Sequence, residues 1–102
     1  MPDAARRRVI DARSVVEVVI GDGNGNRLGR FARQADGGWS EFDPSGKRIF
    51  VFRELTRDEG SVHLWDDSRQ VGVQLDLRAR QINYRASGRE PYRLLYQIAL
   101  AR

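Results

Sequence analysis

Hydrophobic residues recur at every second position along most of this chain, and this alternation constrains the fold more than any other feature. The clearest run is 71–77, VGVQLDL, where the odd-numbered positions are apolar and the even-numbered ones are small or polar. A period of two places successive side chains on opposite faces of an extended strand. One face can then pack into a core while the other meets water, which is typical of antiparallel sheets.

Turn-forming residues separate the alternating segments at intervals of roughly ten residues. Asn24-Gly25 is a common pair at a hairpin tip, and Asp43–Gly46 has the proline and glycine positions of a type I turn. The sequence therefore predicts an all-β fold, an antiparallel meander of seven to eight short strands forming a small barrel or a sandwich. Within it, segment 48–54 is apolar at both odd and even positions, so we expect a central strand buried on both faces.

The two ends of the chain are less decisive. Pro91–Ala101 fits a strand by the alternation of Tyr92, Leu94 and Tyr96, but its leucines also fit a short helix, and we favour the strand. The 102 residues suit one domain. We expect residues 15–102 to form that single β domain, and residues 1–14 to be an N-terminal arm, either flexible or a short helix.

Composition argues against several classes of function. The chain has no cysteine, which excludes disulfides, thiolate catalysis and zinc–thiolate sites. No stretch approaches the ~20 apolar residues of a membrane span, and Asp11, Arg13 and Glu17 interrupt any signal-peptide core, so we expect a cytoplasmic protein. His63 is the only histidine, and no glycine-rich phosphate loop is present. We expect neither an enzyme nor a metal or cofactor site.

One tract resembles half of a calcium-binding loop. Asp22, Asn24 and Asn26 have the spacing of the first three oxygen ligands, but Arg27 and Arg33 stand where such a loop needs glycine and an acidic residue. We therefore interpret the tract as a hairpin turn rich in residues that tolerate positive φ.

The favoured hypothesis is a binding module that recognises a protein or a carbohydrate through a sheet face or polar turns. Tryptophan rings are flat apolar surfaces on which a ligand can stack, and polar turns on a rigid sheet commonly carry recognition residues. The predicted ligand-binding residues are the two tryptophans and two polar turns: Trp39, Trp65, Asp66, Asp67, Arg69, Asp22, Asn24 and Asn26.

The alternative hypothesis is a basic domain that binds single-stranded nucleic acid. Its residues would be the arginines and tyrosine near the C-terminus: Arg78, Arg80, Tyr84, Arg85 and Arg93. Aromatic rings stack on bases while arginines contact the phosphate backbone.

Charge is also unevenly distributed along the chain. Residues 36–67 carry four basic and eight acidic groups, whereas residues 68–102 carry seven and two. Such polarity can also favour self-association.

Overall fold

The computed structural model describes residues 11–102, and this part of the chain is an all-β barrel without a helix. Eight antiparallel strands follow one another in meander order, and β8 pairs with β1 to close the sheet. This confirms the predicted fold class, selects the barrel over the sandwich, and makes the C-terminal segment a strand. The strands are β1 (Glu17–Gly21), β2 (Arg27–Arg33), β3 (Trp39–Phe42), β4 (Arg48–Arg57), β5 (Ser61–Asp66), β6 (Val71–Asp76), β7 (Gln81–Arg85) and β8 (Arg93–Ala101).

The alternating residues of the sequence supply the inner face of the barrel. Leu75 is opposite Val62 on β5 and Ile82 on β7, and all three side chains are fully buried. The rings of Phe31 and Phe52 lie 5.7 Å apart in the same core. Burying one side chain of this size contributes about 1.5–3 kcal/mol. An eight-stranded barrel has room either for such side chains or for one small ligand, so a ligand must bind outside this packed core.

Aspartates at the turns account for much of the acidic composition. In six of the seven turns an aspartate carboxylate accepts a hydrogen bond from a backbone N–H within the turn. The seventh turn uses the Ser87 hydroxyl in the same way, with Arg89 N at 3.2 Å. The six aspartates that accept these hydrogen bonds are Asp22, Asp36, Asp43, Asp58, Asp66 and Asp76. Their shared role is to satisfy the backbone where the strand ladder ends.

Consecutive turns of a meander lie at alternate ends of the barrel. We call the end with the β1–β2, β3–β4, β5–β6 and β7–β8 turns the upper end. Residues 11–14, the described part of the predicted arm, form a turn at the opposite, lower end, where Ala12 is fully buried. Arg57 holds it there, because its guanidinium donates to the carbonyl oxygens of Ala12 (3.0 Å) and Arg13 (2.9 Å). Residues 1–10 of the predicted arm lie outside the described residues.

The two longest strands are each divided between two neighbours. β4 pairs with β3 over Arg48–Phe52 and with β5 over Arg53–Arg57. β8 pairs with β7 over 93–97 and with β1 over 97–101. The upper part of each long strand therefore extends past the end of one neighbour. The candidate site lies beside the extended upper part of β4.

Candidate functional site

The outer face of β4 is open to solvent. Phe50 and Phe52 face inward, whereas Ile49 and Val51 are 40% and 55% exposed. The expectation that this strand is buried on both faces was therefore wrong. The outer face of β4 is apolar but exposed. Sequence periodicity does not distinguish an exposed apolar face from a buried one.

The upper part of β4 also has an open edge. The pairing of β4 with β5 begins at the Arg53–Trp65 pair and continues downward to Arg57. Within residues 11–102, no strand pairs with the β5-facing side of Arg48–Phe52. Unpaired main-chain N–H and C=O groups along a strand edge are a template for another extended chain.

A groove of about 760 Å³ runs across this part of the barrel. We call it the β4 groove. Its floor includes Ile49, Val51 and Arg53 of β4, and its two sides are formed by the β2–β3 turn and by the end of β5 with its turn. The first side contains Gln34, Asp36 and Gly38, followed by Trp39 and Ser40 at the start of β3, and the second contains Trp65, Asp66, Asp67 and Ser68. The predicted residues Trp65, Asp66 and Asp67 therefore come together at one site.

Trp65 contributes an aromatic surface to the groove. It pairs with Arg53 on one side and with Gly72 on the other, and its half-buried side chain points away from the core residues Leu64 and Val73. Trp39, in contrast, is completely buried, and its indole N–H donates to Glu54 Oε1 at 3.0 Å. The Trp39 ring belongs to the core and has no exposed surface on which a ligand can stack. Only one of the two predicted rings can meet a ligand from outside.

Asp66 and Arg69 maintain the shape of the β5–β6 turn. The Asp66 carboxylate is buried and accepts hydrogen bonds from Ser68 N (2.9 Å), Ser68 Oγ (2.6 Å) and Arg69 Nε (2.5 Å). Burial opposes the ionisation of Asp66, but these hydrogen bonds outweigh it and lower its pKa. The Arg69 guanidinium lies 3.3 Å from the centroid of the Phe50 ring, on the inner side of β4. Both residues therefore support the wall of the β4 groove.

Asp67 lies on the exposed side of the same turn. Its carboxylate accepts from Arg53 Nε at 2.9 Å, and both side chains are more than half exposed. An exposed ion pair contributes about 0–1 kcal/mol to stability, so it can be exchanged for contacts to a ligand at little cost.

The other predicted turn, Asp22–Asn26, lies at the same end of the barrel but beside β8. The Asp22 carboxylate binds Asn26 Nδ2 and Asn24 N, both at 2.7 Å, and these hydrogen bonds lower its pKa. A smaller groove of about 330 Å³ lies between this turn and β8, and it includes Gly21, Gly23 and Gln97. Asp22, Asn24 and Asn26 are therefore not part of the β4 groove. In residues 11–102, no three histidine, aspartate or glutamate side chains are grouped closely enough to hold a metal ion.

The residues of the nucleic-acid alternative do not form one surface. Arg78 makes an ion pair with Glu59, and Arg80 donates to the carbonyl oxygens of Ile98 (3.4 Å) and Ala99 (3.3 Å). Both belong to the lower end. Tyr84 is opposite Val73 and faces inward, whereas Arg85 faces outward and Arg93 begins β8 at the upper end.

Sequence reasoning missed a polar cluster on the outer face of β5, β6 and β7. His63 Nδ1 is 3.1 Å from the Tyr92 hydroxyl oxygen, and the Arg85 guanidinium lies 4.5 Å from the centroid of the Tyr92 ring. Asn83 donates to Gln74 Oε1, and Gln74 donates to the Ser61 hydroxyl, each at 3.1 Å. Alternation of β5 and β7 indicated which side chains share this face, but not that the loop before β8 returns Tyr92 to it.

Comparison with family models, curated proteins and solved structures found no match to this chain. The described residues contain no helix that is long and apolar enough to cross a membrane. The site must therefore be interpreted from its own geometry.

Proposed function

We propose that this protein is a non-enzymatic binding module that takes up an extended segment of a partner protein as an added strand. The segment would lie along Arg48–Phe52 of β4, with its side chains in the β4 groove. The observation that carries the proposal is the coincidence of an unpaired strand edge, exposed Ile49 and Val51, and the half-buried Trp65 in one groove. Main-chain hydrogen bonds would supply affinity, and alternate side chains would supply specificity.

The two faces of the edge differ, and the difference predicts the kind of peptide. Outward-facing peptide side chains would lie beside Ile49, Val51 and Trp65, which favours apolar residues. Inward-facing ones would meet Arg69 where it covers Phe50, which leaves room only for small residues. The expected ligand is an extended segment that alternates apolar and small residues.

A carbohydrate is a weaker candidate for the same groove. Stacking of a sugar would use the Trp65 ring and the polar Arg53–Asp67 pair. It would leave the unpaired edge of β4 without a role, and the second predicted ring, Trp39, is in the core. The nucleic-acid alternative is likewise weakened by the separation of Arg78 and Arg80 from Arg93.

The test is selection of binders from a randomised decapeptide library displayed on phage, followed by affinity measurement with labelled peptides. Val51→Lys places a charge on the groove floor and should weaken the selected peptides about tenfold or more, which is about 1.4 kcal/mol. Leu94→Lys is the matched control. Leu94 is 58% exposed on the upper part of β8, away from the β4 groove, so the affinity should not change.

Recovery of alternating apolar peptides whose affinity depends on Val51 but not on Leu94 would support strand addition. Equal weakening by the two substitutions would contradict it, and so would the failure of any peptide to be enriched. Oligonucleotide binding that disappears as salt is raised would instead support the nucleic-acid alternative.

A further inference from the structure

Arg85 lies beside the β4 groove, on the far side of Trp65. A Cβ atom built on Gly72, which has no side chain, would lie 3.1 Å from Arg85 Nε, 3.2 Å from Arg85 Cγ and 3.6 Å from Trp65 Cε3. The side chains of Arg85 and Trp65 therefore converge above the backbone of Gly72. The aromatic wall of the groove continues directly into the polar cluster of Arg85, Tyr92 and His63.

Arg85 differs from the ion-paired arginines of residues 11–102. Seven of the 14 arginines in this part of the chain form ion pairs with carboxylates of the described residues: Arg13, Arg30, Arg53, Arg57, Arg69, Arg78 and Arg102. Arg85 has no such partner in this part of the chain, and its Nε is buried without a hydrogen-bond acceptor there. A buried donor without an acceptor is unfavourable, so the guanidinium of Arg85 is not satisfied by the described part of the chain alone.

The surroundings of Arg85 hold the guanidinium in place. It stacks on the Tyr92 ring at 4.5 Å, and the Tyr92 hydroxyl is fixed by His63 Nδ1 at 3.1 Å. A tyrosine is uncharged at neutral pH, and burial raises the pKa of Tyr92 further although the Arg85 charge opposes the shift, so Tyr92 does not neutralise Arg85. A guanidinium that is already oriented loses less conformational freedom when it binds a carboxylate through its planar fork.

We propose that Arg85 is a specificity-determining residue that binds an acidic side chain, aspartate or glutamate, of the peptide held in the β4 groove. This inference rests on the proposed function. An added strand beside β4 would take the line of β5, two strand spacings or about 10 Å from β7. Arg85 already reaches across Gly72 toward Trp65, so an acidic side chain that passes over Trp65 closes the remaining distance. The basic balance of residues 68–102 favours the same sign of ligand charge.

The experiment compares the peptide library selected on the wild-type protein with the library selected on Arg85→Gln. Wild-type selection should enrich aspartate or glutamate at one fixed position relative to the apolar positions. Selection on Arg85→Gln should keep the apolar pattern and lose the acidic position. Arg89→Gln is the matched control, because Arg89 is an exposed arginine of the β7–β8 loop, and it should leave both features unchanged.

A double-mutant cycle then measures the contact itself. Replacing the acidic peptide residue with its amide should weaken binding to the wild-type protein about tenfold and leave binding to Arg85→Gln unchanged. Apolar peptides without an acidic position, or an equal effect of the amide on both proteins, would overturn the role of Arg85 while strand addition stands. Failure to select any peptide would overturn both.

Discussion

The upper parts of β4 and β8 have the same backbone arrangement but different surfaces. Both strands extend past a shorter neighbour, β5 or β1, whose end carries an aspartate-capped turn. The neighbours even match in sequence, because Val18–Asp22 and Val62–Asp66 both have apolar residues at their first and third positions and aspartate at the fifth. The fourth position differs. It is Trp65 beside β4 and Gly21 beside β8.

This position gives the two grooves different lining residues. Trp65 forms part of one side of the 760 Å³ groove, whereas the 330 Å³ groove beside β8 has Gly21 at the matching position and is lined by two further glycines, Gly23 and Gly25. Both long strands expose aliphatic side chains, including Val51 and Leu94. The barrel therefore provides two open strand edges, and the side chains around β4 make one of them a candidate site.

The largest expected effect is a difference in stability between substitutions in the β5–β6 turn and in the β1–β2 turn. Asp66→Ala removes a buried carboxylate with several hydrogen bonds and leaves Arg69 without its ion-pair partner, so the free energy of unfolding should fall by about 3 kcal/mol. Asp22→Ala changes an exposed turn and should cost clearly less. Urea denaturation of the two variants measures the difference. Equal losses would show that Asp66 has no special structural role.

The next largest effect is expected from substitution of Trp65, the position at which the two edges differ. Trp65→Gly gives β5 the residue that β1 has, and it should weaken selected peptides about tenfold, since large aromatic residues dominate binding energy at interfaces. Fluorescence polarisation with labelled peptides measures the affinity, and circular dichroism checks the fold. Unchanged affinity with an intact barrel would remove Trp65 from the site.

A smaller effect concerns Glu41, which is opposite the inner-facing residues Phe31 and Phe50. Burial raises its pKa, although the Arg69 charge opposes the shift. The ionised carboxylate therefore costs stability at neutral pH, and this cost disappears when the group is protonated in both the folded and the unfolded state. Glu41→Gln should be more stable than the wild type at pH 7. The gain should vanish below about pH 4, near the pKa of an unfolded glutamate. Urea midpoints measured across this pH range provide the test, and a gain that persists in acid would contradict the explanation.

Most of the fold was predictable from local pattern. Alternation fixed the strands, as in 71–77, and turn residues such as Asp43–Gly46 fixed their ends, because both depend on neighbours in the chain. Closure into a barrel depends on the pairing of β1 with β8, a contact between distant segments that alternation does not specify.

The candidate site was predictable only in part. Trp65, Asp66 and Asp67 lie in the β4 groove as neighbours in one turn, but the sequence did not distinguish Trp65 from the buried Trp39. The sequence did not distinguish the exposed outer face of β4 from a buried one, because exposure depends on whether other parts of the fold cover that face. The place of Arg85 was not predictable either. Its contact with Tyr92 requires the loop before β8 to fold back over the outer face, and the sequence pattern does not show this.

Strand addition at β4 is tested most directly by amide hydrogen exchange of β4, measured residue by residue by NMR with and without a selected peptide. Peptide binding should slow exchange of amides within Arg48–Phe52 and leave the upper part of β8 unchanged, because a new strand pairs with one open edge only. Peptide binding without added protection in Arg48–Phe52, or with equal protection in both strands, would contradict strand addition at β4.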